Sequence, residues 1–342
     1  MRIEVSETAP TGWDAYVERH ESATAYHRAS AVAIGARAFK LRSSYLTAYD
    51  GEDLVGVMPL VEQSSRLFGR FLVSLPFVTY GGILADDARV AAALAERAAQ
   101  EAQRRKADHV ELRHTAALPD IGLAERLDKV SMILPLPDSD AVLSKQLGAK
   151  LRSQIRRGER EHLEFIWGGA ELIPDFYRVF APAMHALGTP VYPRHFFNVA
   201  YDALREVADI LVIKMAGRPQ AVAFLVRHGR TIEVPWAVAS PDAKQRSVNM
   251  RMYWELLVHS MQKGAQGFDF GRSTVDSGTY RFKAQWGAEP HQLHWHYWLP
   301  SGVPVPKLNQ SNPKYARAAA LWRKMPLWSA NFLGPKIIRH LP

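Results

Sequence analysis

One order of predicted elements runs through this chain twice. Residues 45–49 and 54–61 read as two strands around the turn Asp50-Gly51. An apolar strand through 71–85 follows, then a polar start at Asp86-Asp87, an alanine-rich helix over 89–106 and a short strand at 109–112. The second half repeats this with similar spacing: strand 210–215, the turn Gly217-Arg218-Pro219, strands 221–227 and 231–239, a helix over 249–264 and the strand Phe268-Asp269-Phe270. Helical segments precede each set, around 12–19 and Arg37 in the first half and over 171–187 and 195–207 in the second. Two similar α+β halves account for this pattern, and Leu134-Pro135-Leu136-Pro137-Asp138 interrupts it. The expected division is an N-terminal domain 1–135, a C-terminal domain 136–300 and a tail 301–342.

At 342 residues the chain has room for two cores. It has no cysteine, which excludes a disulfide framework, a thiolate nucleophile and cysteine-ligated metal. Glu4 and Glu7 fall within the first seven positions, where a signal peptide would be apolar, so a cytoplasmic location is expected. The longest uncharged stretch, 71–85, is shorter than the roughly 20 residues of a spanning helix and is broken by Pro76, Gly81 and Gly82. With 43 Lys and Arg against 34 Asp and Glu, the net charge of +9 favours an anionic partner: nucleic acid, a phosphorylated substrate or an acidic membrane face.

A mostly antiparallel sheet whose penultimate strand leads through a helix into a further strand is the layout of the GNAT acetyltransferase fold. Neither half carries the glycine-rich loop with which that fold holds the pyrophosphate of coenzyme A. The first half has Asp86-Asp87, and the second has Gln245-Arg246-Ser247-Val248-Asn249. The segment Gly267-Phe268-Asp269-Phe270-Gly271-Arg272-Ser273, the run from Gly278 to Pro290 and Tyr80-Gly81-Gly82 resemble the FemAB family. The basic run 150–160 and the stretch 184–192 extend the resemblance to about residues 1–300, most narrowly to the branch associated with PEP-CTERM/exosortase exopolysaccharide systems. It implies two tandem GNAT-like domains with mixed, mostly antiparallel sheets, and transfer of an acyl or aminoacyl group to an amine. The acceptor it implies is a peptidoglycan-type or exopolysaccharide precursor, including a carrier-linked saccharide. The donor is aminoacyl-tRNA or an acyl-CoA, with no permanently bound cofactor. The long antiparallel helical arm of some members, often linked to tRNA binding, has no counterpart here. A non-catalytic module that binds glycan or nucleic acid is the alternative of a different class.

Lys283 is the leading catalytic candidate, because a fixed ammonium at a carbonyl oxygen stabilises the charge that builds there during amine attack. It could equally hold a substrate phosphate, and the resemblance, in which a lysine of this Tyr-x-Phe-Lys context lies at the substrate site, suits either role. A lysine snorkelling from a strand end beside Trp286 is the structural alternative. Asp269, alternating with two phenylalanines, is a base for the attacking amine or a structural carboxylate paired with Arg272 or Arg281. Tyr280 donates to substrate or simply packs, and Arg272, beside Ser273, offers a fork for phosphate or carboxylate. Tyr80, Gly81 and Gly82 bring backbone close to a ligand or form a strand bulge. Leu143, Leu147, Leu151 and Ile155 give a predicted helix over 143–160 one apolar stripe. Its cations, with Lys150, Arg152 and Arg156 as binding candidates, have no acidic neighbours before Glu159, which favours a phosphate-bearing ligand over a merely solvated face. Tyr192, Arg194 and Trp236 are further cleft candidates, Trp236 also reading as core.

No metal site is expected: His294 and His296 would share a strand face without a carboxylate at ligand spacing, as on a half-exposed strand. The basic tail, rich in proline and tryptophan, with a helix over 314–324, suits either an anionic membrane face, placing the protein peripherally at the inner membrane, or packing over the second domain.

Overall fold

A computed structural model describes residues 1–65, 69–118, 121–306 and 313–341. The chain forms two compact units. The first contains β1 (Arg2–Ser6), α1 (Trp13–Arg19), α2 (Ala29–Val32), α3 (Ile34–Phe39), β2 (Arg42–Asp50), β3 (Asp53–Ser65), β4 (Gly69–Val73), β5 (Leu84–Ala85), α4 (Ala88–Arg105), β6 (His109–His114) and β7 (Ala124–Arg126). The second continues with β8 (Lys129–Pro135), α5 (Asp140–Gln146), α6 (Ala149–Glu159), β9 (Leu163–Gly168), α7 (Ile173–Ala186), α8 (Arg194–Leu204), β10 (Ala208–Met215), β11 (Arg218–His228), β12 (Thr231–Ala239), α9 (Pro241–Gln245), α10 (Val248–Gln262), β13 (Gly267–Thr274), α11 (Gly278–Ala284) and β14 (Glu289–Gln292). Strand β15 (His294–Trp298) and helices α12 (Pro313–Lys324) and α13 (Leu327–Ile338) complete the chain.

The sheets have the orders β1-β2-β3-β4-β6-β15-β7, with β5 on β3, and β14-β8-β13-β12-β11-β10-β9. In each, four successive strands pair antiparallel, and a helix then carries the chain to a strand pairing parallel with the fourth. In the first unit that helix is α4, capped by Asp87, whose Oδ1 accepts from Val90 N–H at 2.9 Å. Its face of Val90, Leu94, Ala98 and Ala102 packs on Leu46, Met58, Leu60, Leu72 and Val110. Helix and sheet approach closely because β3 has Gly56 there: a Cβ would lie 2.5 Å from Val90 Cγ1. In the second unit Phe176, Phe180, Phe197 and Phe224 join α7 and α8 to the sheet through ring contacts of 4.9–6.4 Å.

Three expectations are corrected here. Each sheet completes itself with a strand from beyond its own half: β15 lies beside β6 in the first sheet, and β8 lies beside β13 in the second. The compact units are therefore Met1–Val130 with Gln292–Leu308 and Arg339–Pro342, and Ser131–His291 with Asn309–Ile338, rather than segments cut at 135 and 300. The apolar run 71–85 is a strand only to Val73 and at 84–85, because Phe77 and Gly81 take positive φ values of 72° and 138°. The helix expected over 143–160 is two helices, broken where Leu147 is extended before Gly148, although all four stripe residues are buried.

Within the tail, 307–312 lies outside the described residues. Among the described residues no helix is long and apolar enough to cross a membrane.

Candidate functional site

In the second unit β12 and β13 pair only over Thr231–Gly267, Ile232–Phe268 and Glu233–Asp269, although β12 runs on to Ala239 and β13 to Thr274. Past the last pair the strands part, and β13 turns through Gly271, whose φ of 78° suits glycine. Strands that part leave carbonyls without ladder partners. Lys283 supplies them: its Nζ donates to Gly271 O at 2.8 Å and Arg272 O at 2.9 Å. The lysine stands on α11, not at a strand end, and Ser277 caps that helix by accepting from Tyr280 N–H. Only 9% exposed, the ammonium is pushed down to about 8 by burial, against the carboxylates of Asp269 and Glu233 and with further lowering by Arg272. An ammonium has three donors, so these carbonyls leave one N–H.

Asp269 is buried and accepts from Ser131 Oγ at 2.6 Å and Gly271 N–H at 2.7 Å, which fixes the strand where it turns. Ser273 is buried and its Oγ has no hydrogen-bond partner among the described residues. Arg272 is exposed and Tyr280 half-buried. One strand and the short helix after it thus carry Asp269, Arg272, Ser273, Tyr280 and Lys283, and hydrogen bonds join Asp269 to Gly271 N–H and Lys283 to the Gly271 and Arg272 carbonyls.

The other second-unit candidates are placed elsewhere. Tyr192 stacks on Phe196 at 4.4 Å, and the Trp236 ring lies 5.2 Å from that of Phe224, so both belong to the aromatic core. Arg194 is exposed at the start of α8. Arg152 donates to Ser144 O and Leu147 O and so holds the break between α5 and α6. Lys150 and Arg156 are exposed on α6. Helix α6 presses on the start of α10 through Gly158, where a Cβ would lie 2.8 Å from Ser247 O. Nearby, Arg246 donates to Asp242 and Glu161.

The first unit has the same opening. Strands β4 and β6 pair last at Val73–Glu111, and Glu111 is buried as Asp269 is. Arg113 Nε donates to Glu111 Oε1 at 2.7 Å, and Tyr297 Oη donates to Oε2 at 2.6 Å. Arg113 also donates to Leu75 O and Val78 O, tying the departing chain to β6. Tyr80, Gly81 and Gly82 therefore lie outside any strand, lining a cavity of about 100 Å³ with His20, Arg113 and His114. Gly82 meets His114 so closely that a Cβ would sit 2.1 Å from its Cδ2. Burial pushes the His114 imidazole well below its ordinary range; its Nε2 accepts from Ile83 N–H at 2.9 Å and its Nδ1 faces His296 Nδ1 at 3.0 Å.

His294 does have a carboxylate beside it, Glu125 Oε1 at 2.6 Å, and His296 is buried rather than half-exposed. The pairing of β7 with β15 brings Glu125 there from far away in sequence. Among the described residues no group of three or more His, Asp or Glu could hold a metal ion. Sequence reasoning also missed Ser131, Glu111 and Glu233. The two acids had a signal, each being a lone carboxylate inside an apolar strand, but Ser131 had none.

Residues 145–284 match the family model described as an acetyltransferase (GNAT) domain. No curated protein matches the chain. Among solved structures the chain is similar to FemX, at 14% identity and a TM-score of 0.67, covering 85% of this chain and 96% of that one. It is also similar to L-PGS from Bacillus licheniformis, at 14% identity and a TM-score of 0.58, covering 94% and 99%. A tandem GNAT protein from the clavulanic acid biosynthesis pathway matches at 10% identity and a TM-score of 0.56, covering 89% and 100%. The fold is a tandem of GNAT-like α+β domains, and the matched family assigns residues 145–284 the coarse reaction class of acyl transfer.

Proposed function

We propose that this protein is an acyl or aminoacyl transferase whose donor carbonyl lies in the opening between β12 and β13. The observation that carries this is Lys283, a desolvated ammonium held by two strand carbonyls with a further N–H to offer. The acceptor amine forms a C–N bond to the carbonyl while the C–O bond to a tRNA ribose, or the C–S bond to coenzyme A, breaks. The amine proton leaves with the released hydroxyl or thiol. Lys283 donates to the carbonyl oxygen as charge develops on it, and a single donor of this kind is worth about 3–4 kcal/mol. Asp269 holds Gly271, and through it the strand, in position. Ser273 and Tyr280 offer hydroxyls to the bound chain, and Arg272 a fork for phosphate or carboxylate.

An aminoacyl ester fits this chain better than a thioester. Gly158 abuts the start of α10, and the loop before that helix contains no glycine, so the helix start lacks an open pyrophosphate cradle. Lys150 and Arg156 would meet the phosphates of a tRNA. The acyl-CoA-dependent N-acyltransferase is the second reading, favoured by the GNAT domain match itself. The likeness in fold to FemX and L-PGS supports aminoacyl transfer in general, and the resemblance of 267–290 to FemAB proteins supports an amine acceptor on a cell-envelope or exopolysaccharide precursor, anionic and lipid-carried or phosphorylated. Tyr80, Gly81 and Gly82 line a cavity within the first unit and are binding candidates there.

The test supplies labelled aminoacyl-tRNA or acetyl-CoA with amino-sugar and peptide-amine acceptors, to the wild type and Lys283→Met. Transfer from one donor class, reduced about 100-fold or more in the variant at unchanged thermal stability, is the expected result. Transfer equal in both proteins overturns the role of Lys283. Binding of glycan or RNA without transfer from either donor identifies a non-catalytic module.

A further inference from the structure

The last two helices have an inner and an outer face. On α13, Ala330, Gly334 and Ile338 are buried, and Gly334 sits so close to the body of the second unit that a Cβ would lie 2.9 Å from Val191 N. The opposite face carries Trp328, 75% exposed, Phe332, 61% exposed, and Lys336, whose ammonium stands 3.9 Å from the Phe332 ring centroid. These three recur every fourth residue, on one side of a helix. Leu333 is exposed nearby, and α12 adds Leu321, 67% exposed, with exposed Arg317, Arg323 and Lys324. From Pro290 to the C-terminus the sequence contains seven Lys and Arg and no Asp or Glu.

We propose that the outer face of α12 and α13 docks on an anionic lipid bilayer. Phosphate alone would be served by the cations, and large exposed apolar side chains gain nothing from it. A bilayer surface answers both chemistries, with Trp328 and Phe332 entering the acyl boundary and the cations meeting the headgroups. At 12 residues α13 is roughly 18 Å long, too short to span, so it lies in the interface. The docked inner face leaves the aromatic face outward without refolding. This inference does not depend on the transfer reaction, since vesicle binding is measured without donor or acceptor.

Flotation of the full chain with phosphatidylcholine vesicles, and with vesicles containing phosphatidylglycerol, is the test. Binding is expected to the anionic vesicles and to weaken with salt. It should fall about tenfold or more in Trp328→Ser/Phe332→Ser and by a smaller factor in Lys324→Gln/Lys336→Gln, all melting as the wild type does. Because these side chains are exposed, the variants should fold, and circular dichroism checks this. Equal binding by the aromatic double variant overturns the proposal. So does self-association through this face, seen by sedimentation and lost in the same variant, without vesicle binding. Binding of tRNA that depends on Trp328 and Phe332, again without vesicle binding, overturns it as well.

Discussion

The two sheets open at equivalent places and close those openings differently. In each, a parallel pair ends at a buried acid on the strand after the helix, Glu111 in the first and Asp269 in the second. The first sheet places a guanidinium on its acid, and the same guanidinium ties down the chain that leaves β4. The second engages its acid with an alcohol and a backbone N–H, and sets its cation on two strand carbonyls. A shared topology therefore repeats an opening, and the proposed function places the chemistry in the second one because of its local charges. A buried Arg–Glu pair is a lock, whereas a desolvated lysine with an N–H to offer is a tool.

Breaking the lock should have the largest effect on stability. Arg113→Met leaves Glu111 buried without its cation and should cost about 3–5 kcal/mol in urea unfolding, with faster hydrogen exchange over 74–83. An unfolding midpoint equal to wild type would remove the contrast between the two openings.

Titration of the second cation comes next. Lys283 sits near 8 when folded, against an ordinary value of 10.5. Between these values the unfolded chain binds more protons, so stability should rise as pH increases through that window, the burden of the buried charge being fully present below 8. Measured against Lys283→Met, the wild type should gain about 3 kcal/mol across it. A flat difference would mean that the ammonium is solvated.

Gly82→Ala sharpens the comparison on the first side. Its Cβ would press on His114, and a cost of about 1–3 kcal/mol in thermal or urea unfolding is expected. The smallest effect belongs to Lys150→Gln/Arg156→Gln. Stability should stay within about 0.5 kcal/mol, while tRNA binding should weaken and its salt dependence become shallower by roughly one to two charges.

Much of this was legible in the sequence because it is local. The strand 231–239 is read to the residue, α4 and α10 fall within a residue or two of their expected ends, and the hairpin turns where Asp50-Gly51 places it although its strands run three and four residues further at their outer ends. Each depends on alternation, helical periodicity or a capping residue within one segment. The exchanged strands β8 and β15 are invisible to such patterns, since a strand does not state which sheet it will join. The same reason hid Ser131 behind Asp269 and Tyr297 behind Glu111, partners 138 and 186 residues apart. Lys283 was found through its motif, but its burial on a helix under carbonyls freed by the parting strands needed the fold. Trp236 shows the converse: an aromatic in an apolar strand suited both cleft and core, and only its ring neighbours on α8 and β11 decide for the core.

Hydrogen exchange with and without donor tests the contrast between the openings most directly. Whichever of aminoacyl-tRNA or acetyl-CoA supports transfer should slow exchange over 267–274 and 278–284 and leave 109–114 unchanged. Protection over 109–114 instead, or over neither segment, would contradict the assignment of the donor to the opening that Lys283 serves.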